Sequence, residues 1–208
     1  GQLAVACLDL YESTFETRWF ETALELMREI DRLFRNDAGS YYDTGSDGES
    51  LIARTVDGTD GVEPSGNSAA ALAALRLHAY GVRGGFEENA LRIFSGFRPE
   101  LEQTGISFAA MLGALDFHLA PPAEVAIVGD PAAAETQAML ALMQTRFHHA
   151  TVVAFSPPDE VEARGKIVPL LAGREAVGGK PTAYLCRDMA CRLPVHTAQE
   201  LEKQLKEG

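Results

Sequence analysis

A tight turn followed at once by an alanine-rich run is the feature that most constrains the fold of this chain. The turn covers residues 61–68, and the run covers residues 69–75 with five alanines and two leucines. Pro64 fixes one backbone angle, whereas Gly66 permits conformations that other residues avoid. The alanines let a neighbouring helix approach closely. The segment therefore predicts a rigid turn that opens a closely packed helix.

Composition excludes two classes of partner. The chain has 208 residues, of which 46% are hydrophobic and 23% charged, the balance of a globular protein of one domain with or without a small appendage. A net charge of -12 repels the phosphates of nucleic acids. No apolar stretch approaches the ~20 residues that a membrane span requires. We therefore expect no binding to nucleic acid or to membranes.

The start of the chain and its cysteines bear on its context. Residues 1–7 lack an initiator Met and the basic front of a signal peptide, and they resemble the middle of a helix, so we expect part of a longer protein. Cys7 fits a core position. Cys186 and Cys191 have no second pair with which to bind zinc, so we expect two reduced thiols, with a local disulfide as the alternative. The default location is then the cytoplasm.

Residues up to about 120 show the apolar period of helices. A first helix is expected to end near Tyr11, and a capping box at 13–16 should open a long amphipathic helix to about Arg35. Further helices are predicted at about 68–80, 86–94 and 107–119. Two β-prone runs, 40–44 and 51–54, flank turn residues and predict a β-hairpin centred on Asp47.

The pattern changes at residue 121. Short apolar runs at 125–128, 151–155 and 183–186 predict buried strands, the first two parallel with a right-handed crossover. Asp130 is expected to cap the helix between them, so Asp130→Ala should cost ~1 kcal/mol. A second capping box, at 197–200, should open the last helix. We therefore predict two domains, 1–120 and 121–208.

Three segments carry a resemblance to a known family. Residues 39–44, 60–70 and 183–194, together with 125–130, resemble the C-terminal part of the thioredoxin-domain-containing, spermatogenesis-associated protein family. The resemblance implies about half of an (α/α)6 toroid, similar to N-acylglucosamine 2-epimerases and six-hairpin glycosidases, without the thioredoxin-like domain. The fold class expected is mainly α: a partial (α/α) toroid of helical hairpins with a β-hairpin insert, plus a small C-terminal α/β appendage.

Carboxylates and tyrosines gather around the predicted hairpin and the Pro64 turn. Glycoside hydrolysis uses paired carboxylates, and aromatic faces stack on sugar rings. Toroids of the resembled class bind sugars at the mouth where such loops meet. The predicted ligand-binding residues are Tyr41, Tyr42, Asp43, Arg54, Asp60 and Asn67. No catalytic residue is assigned.

Structural explanations for the same residues stay open. Acidic loop residues are commonly only solvated, and Arg54 fits a partner for one of them. Ser65 or Asn67 is expected to cap the alanine helix rather than to act on a substrate. His78 fits an interior or groove position. The adjacent rings of His148 and His149 diverge, so we expect no metal. The turn at 129–131 lacks a Gly-x-Gly-x-x-Gly loop and carries the charge of Asp130, so we expect no nucleotide cofactor.

Two functions follow as hypotheses. The first is a fragment of a carbohydrate-active or sugar-binding toroid, epimerase-like or glycosidase-like by resemblance and inactive alone. The second is a non-catalytic scaffold or interaction domain. Half a toroid leaves helix faces without neighbours, so a homo-oligomer, most simply a C2 dimer, is expected.

Overall fold

The computed structural model of the chain is mainly α-helical with a small four-stranded sheet, and it describes residues 1–49, 51–148, 150–187 and 190–207. The chain forms two compact units. The helical unit comprises Gly1–Asp9, Arg18–His78 and Arg83–Leu119, and the sheet unit comprises Leu10–Thr17, Ala79–Val82 and Ala120–Gly208. The division into a partial toroid, 1–120, and a small appendage, 121–208, stays a prediction.

Five of the first six helices lie where the apolar period predicts them. The helices are α1 Gln2–Thr14, α2 Thr17–Phe34, α3 Gly66–Ala79, α4 Phe86–Gly96, α5 Arg98–Thr104 and α6 Ala109–Leu119. The unpredicted helix, α5, has no buried residue and therefore shows no apolar period. The capping box predicted at 13–16 is wrong. Helix α1 runs on through Thr14, and Phe15 takes a left-handed conformation with φ 55° before α2 begins.

The alanines of α3 pack as predicted. All six alanines of this helix are buried, so α3 is enclosed on nearly every side. The first residue of the chain illustrates the close approach: a Cβ on Gly1 would lie 2.7 Å from the backbone nitrogen of Ala70 and 2.8 Å from the Cβ of Ala69. Small side chains at the start of α3 thus leave room for backbone contact.

The predicted β-hairpin is wrong. Ser50 lies outside the described residues, and the described part of 36–65 contains no β-strand. An isolated bridge joins Tyr41 to Arg35, and the amides of Tyr42 and Ser46 donate to the carbonyls of Phe34 and Leu33 at the end of α2. Its two arms share a hydrogen bond from the Asp43 amide to the Thr55 carbonyl, at 2.9 Å. Side chains take the bonds that a strand ladder would use, as polar residues in loops commonly do.

The sheet unit contains the three predicted strands and a fourth. Strands β1 Ala123–Val128 and β2 Thr151–Ser156 pair in parallel, as predicted, around helix α7 Ala134–Thr145. Strand β3 Thr182–Arg187 pairs antiparallel with β1 and, on its other side, with the short strand β4 Ala190–Cys191, which gives the order β2-β1-β3-β4. The hand of the crossover stays a prediction. A short helix, α8 Val161–Ile167, was not predicted.

The expectation of two reduced thiols is wrong, because Cys186 and Cys191 form a disulfide. The short strand β4, Ala190–Cys191, pairs antiparallel with β3 and places the two cysteines directly opposite each other. Facing residues of an antiparallel pair have neighbouring Cβ atoms, which suits a local bridge. Cys7 is free and buried, as expected.

Two predicted helix caps in the sheet unit have different outcomes. The capping box that opens α9, Ala198–Lys206, is confirmed: the Thr197 hydroxyl accepts from the Glu200 amide, and the Glu200 carboxylate accepts from the Thr197 amide, both at 3.2 Å. The cap at Asp130 is wrong. Helix α7 begins only at Ala134, and the exposed Asp130 carboxylate accepts from the amide of Ala132 at 2.8 Å in a turn that precedes the helix.

Among the residues that the structure describes, no helix is both long and apolar enough to cross a membrane. The cytoplasmic location stays a prediction.

The two caps give a matched test. Thr197→Ala should lower the free energy of unfolding by about 1 kcal/mol, because the Glu200 amide loses the hydroxyl that accepts its hydrogen bond. Asp130→Ala should change it by less than about 0.5 kcal/mol, because the side chain is exposed and lies outside the helix. Urea unfolding of both variants measures the difference. Equal losses would contradict the assignment of Asp130 to a turn.

Candidate functional site

The predicted ligand-binding residues lie in the segment that joins α2 to α3 and in the first turn of α3. We call residues 35–65 the α2–α3 loop. The structure brings Tyr41 against Asn67 and Tyr42 against Arg54. Asp43 and Asp60 lie in the same loop, but neither contacts these pairs: Asp43 bonds to Thr55 and Asp57, and Asp60 bonds to Ser65 and to the start of α6. Each of the six residues makes contacts that hold the α2–α3 loop in its own conformation.

Asn67 fixes the loop to the start of α3. Its side chain is 1% exposed, and its amide makes three hydrogen bonds to backbone groups. The oxygen accepts from the Tyr41 amide at 2.8 Å, and the nitrogen donates to the carbonyls of Tyr41 and Asp57, both at 2.9 Å. Of the two predicted caps of α3, Ser65 is the one used, since its hydroxyl accepts from the Ser68 amide at 3.0 Å.

Asp60 precedes α3 in the chain, but its side chain caps the N-terminus of α6. One carboxylate oxygen accepts from the Ser65 amide at 2.8 Å. The other accepts from the amides of Ala110 and Met111, in the first turn of α6, at 2.8 and 3.2 Å. Amides in a first turn have no acceptor within their own helix, and a negative charge there is favourable. The cap is 50 residues away in sequence, so no local signal predicts it.

The Tyr41 ring is part of the core. It is 3% exposed, and its hydroxyl donates to Asp31 at 2.9 Å. The Arg35 guanidinium lies 5.5 Å from the ring centre and pairs with the same carboxylate. Burial raises the pKa of Tyr41, with Arg35 acting in the opposite direction. In this arrangement the ring offers no face to a ligand.

Tyr42, Asp43 and Arg54 form the more accessible part of the predicted set. The Arg54 guanidinium lies 4.1 Å above the Tyr42 ring and donates to the carbonyls of Leu33 and Thr44. It is thus a partner for carbonyls and a ring rather than for a carboxylate. The exposed Asp43 accepts from the Thr55 hydroxyl at 2.7 Å and from the Asp57 amide at 3.3 Å.

Two histidines flank one carboxylate at another place in the helical unit. The Nε2 of His78 lies 3.6 Å from Glu87, and the Nδ1 of His118 lies 3.7 Å from it. His78 is exposed rather than interior. His149 lies outside the described residues, and no group of three or more His, Cys, Asp or Glu in the described ranges could hold a metal ion.

Sequence reasoning missed an apolar groove in the helical unit. It is an open depression of about 390 Å³ between α4, α5 and α6. Its lining residues are Phe94, Ser95, Arg98, Leu101, Glu102, Leu112 and Leu115. Arg98 and Glu102 pair at 2.8 Å on its polar side. The groove was missed because α5, which forms one wall, has no apolar period.

The chain is similar to several known proteins. No family model matches the sequence. The chain is 28% identical to spermatogenesis-associated protein 20 of Homo sapiens and 29% identical to that of Rattus norvegicus, over 200 residues in each. It is 29% identical over 204 residues to an uncharacterized protein of Caenorhabditis elegans.

These matches cover nearly all of this chain but little of the relatives. They include 95% of the chain and 25% of each mammalian protein, and 97% of the chain and 27% of the worm protein. The chain therefore spans about a quarter of the length of the curated relatives it matches, and it is homologous to the C-terminal part of spermatogenesis-associated protein 20. The names of these relatives state no activity.

The structural role of Asn67 can be measured. Asn67→Ala should lower the free energy of unfolding by about 3 kcal/mol, because two buried backbone groups of Tyr41 and the part-buried Asp57 carbonyl lose their partner at about 1 kcal/mol each. Asn89→Ala is the matched control: its amide donates once, to Asp31 at 3.3 Å, and its loss should cost about 1 kcal/mol or less. Denaturant unfolding of both variants gives the comparison. A loss at Asn67 no larger than that at Asn89 would show that the loop is fixed by other contacts.

Proposed function

We propose that this chain is a non-catalytic interaction domain that associates with a second copy of itself through the groove of α4, α5 and α6. The observation that carries the proposal is the groove itself, whose lining includes Phe94, Leu101, Leu112 and Leu115. A partner that fills it removes apolar surface from water, at roughly 25 cal/mol per Å².

The state of the predicted ligand-binding residues supports a scaffold rather than an enzyme. A general acid or base must come within hydrogen-bond reach of a substrate atom. Asp60 already accepts three backbone amides, and Asn67 and Tyr41 are buried with their polar groups engaged. These contacts hold the α2–α3 loop and α6 in place. Their loss during catalysis would release the loop.

Exposed apolar side chains lie on the elements that form the groove. Leu112 is 38% exposed on α6, and Leu91 is 38% exposed on α4. Ile106, in the turn that precedes α6, is 93% exposed. Large exposed apolar patches on soluble proteins commonly mark interaction sites.

A second copy suits this groove because its rim carries both signs of charge. Arg98 and Glu102 stand side by side on α5, so the rim is complementary to itself under a twofold axis. The net charge of -12 opposes association of two copies at long range. Salt screens that repulsion more than it weakens apolar contact, so we expect association to increase with ionic strength.

Sugar binding is our second proposal, and the exposed edge of the α2–α3 loop favours it. Tyr42 keeps part of its surface in solvent beside the exposed carboxylate of Asp43. The (α/α) toroid and an epimerase-like or glycosidase-like parent activity belong to this proposal. Hexoses and N-acetylhexosamines titrated into the chain should shift NMR signals of Tyr42 and Asp43, weakly and without turnover. Shifts confined to residues after 122 would contradict the proposal. Shifts that persist unchanged in the Asp43→Asn variant would contradict it as well.

The groove gives a test of self-association. Leu112→Glu should weaken a dimer by at least tenfold, because it places a charge against the apolar lining. Leu119→Glu is the matched control, since Leu119 is 69% exposed on the same helix but does not line the groove. Sedimentation equilibrium at low and high salt measures the dissociation constant of each variant. A monomer at high protein concentration and high salt would overturn the proposal, as would equal weakening by the two substitutions.

A further inference from the structure

An arginine lies against both sulfurs of the Cys186–Cys191 disulfide in the sheet unit. The Nη2 of Arg174 donates to each Sγ at 3.3 Å. Its guanidinium stacks over the Tyr184 ring, 4.8 Å from the ring centre. Tyr184 and Cys186 are two residues apart on β3 and so point to the same face of the sheet. The ring therefore supports the guanidinium over the sulfurs.

Further contacts fix this arrangement. The Tyr184 hydroxyl donates to the carbonyl of Glu175, the residue that follows Arg174, at 2.8 Å. The buried Nε of Arg174 has no hydrogen-bond acceptor among the described residues. The positive charge is thus held beside the disulfide by a ring and by the sulfurs themselves.

We propose that Cys186–Cys191 is a thiol–disulfide exchange site whose substrate is a dithiol reductant, and that Arg174 stabilises the thiolate released from it. The proposal does not depend on self-association through the groove. The proposal gives the disulfide a reaction in addition to the structural role of linking β3 to β4.

The two sulfurs differ in access, which sets the direction of attack. Cys186 is 2% exposed in the middle of the sheet unit, whereas Cys191 is exposed on the short strand β4. An incoming thiolate therefore reaches the Sγ of Cys191, and Cys186 is the leaving group. Exchange is faster when the leaving thiol has a low pKa, and a neighbouring arginine lowers the pKa of a thiol.

The exchange balances in two steps. A thiolate of the reductant bonds to the Sγ of Cys191, the bond between Cys191 and Cys186 breaks, and its electron pair leaves on Cys186 beside Arg174. The second thiol of the reductant then loses its proton to solvent and attacks the reductant sulfur of the mixed disulfide. Cys191 leaves as a thiolate and takes up a proton. Two electrons pass to the protein, and the dithiol becomes a disulfide.

The surrounding structure allows reversal of this reaction. Beyond the disulfide, β3 is held to the chain that follows β4 by a hydrogen bond from the Arg192 amide to the Leu185 carbonyl, at 2.9 Å. The strand β3 also pairs along its length with β1. Reduction therefore leaves Cys186 in the sheet with its backbone bonds intact, and Cys191 close enough to reform the bridge.

The first experiment measures the rate of reduction by dithiothreitol in the folded chain. Thiols are trapped with iodoacetamide, and mass spectrometry quantifies the peptide that holds both cysteines. Arg174→Gln should slow reduction by about tenfold or more, because one charge-assisted interaction with the leaving thiolate is lost. Arg192→Gln is the matched control: Arg192 adjoins Cys191 but donates to Gln204 and Glu207 instead, and its loss should change the rate less than about twofold.

The second experiment separates thiolate stabilisation from a structural effect. The ultraviolet absorbance of the thiolate, followed against pH in the reduced protein, should rise at lower pH in the native chain than in Arg174→Gln. Cys7 contributes equally to both. Arg174→Lys keeps the charge and should restore part of the rate, which tests the proposal even if Arg174→Gln folds poorly. Equal rates for native and Arg174→Gln chains, or a disulfide that dithiothreitol reduces only in denaturant, would overturn it.

Discussion

The helical unit depends on the side-chain amide of Asn67. An amide offers an acceptor and donors on one small group, so it can pair with the N–H and C=O of an extended residue as another strand would. Asn67 does this for Tyr41 and then reaches the Asp57 carbonyl, so both arms of the α2–α3 loop are fixed from one point of α3. The loop needs no ladder of its own, which explains why β-prone runs in it form no hairpin.

A second long-range contact follows from the first. With the loop held by Asn67, Asp60 is placed where its carboxylate meets the first turn of α6 and the amide of Ser65. The loop thereby caps one helix and leads into another. The acidic residues that suggest sugar chemistry in the sequence are required, in part, for this arrangement. A single carboxylate that satisfies three amides has little capacity left for a substrate.

The sequence predicted elements whose signals are local and missed those whose causes are distant. The apolar periods of α2 and α6, the buried strands and the Thr197 capping box are properties of neighbouring residues, and they were recognised. Helix α5 buries no residue, so no periodicity marks it. The Asp60 cap and the groove depend on residues about 50 positions apart or on packing of three helices. Five of the six predicted site residues lie in the α2–α3 loop and the sixth, Asn67, in α3. The sequence could not show that their polar groups already bond to distant parts of the helical unit.

The pairing of strand β3 with its two neighbours determines the chemistry of the disulfide. From sequence, two cysteines five residues apart without a second pair favour free thiols, with a bridge as the alternative, and spacing alone does not show how their strands pair. The antiparallel pairing of β3 with β4 sets Cys186 opposite Cys191, and the pairing of β3 with β1 buries the former. One sulfur is thus enclosed and the other accessible. Because Arg174 lies at the same distance from both, its charge acts on whichever sulfur carries the electron pair, and burial strengthens that interaction most at Cys186. The asymmetry that directs exchange therefore comes from the sheet and not from the arginine.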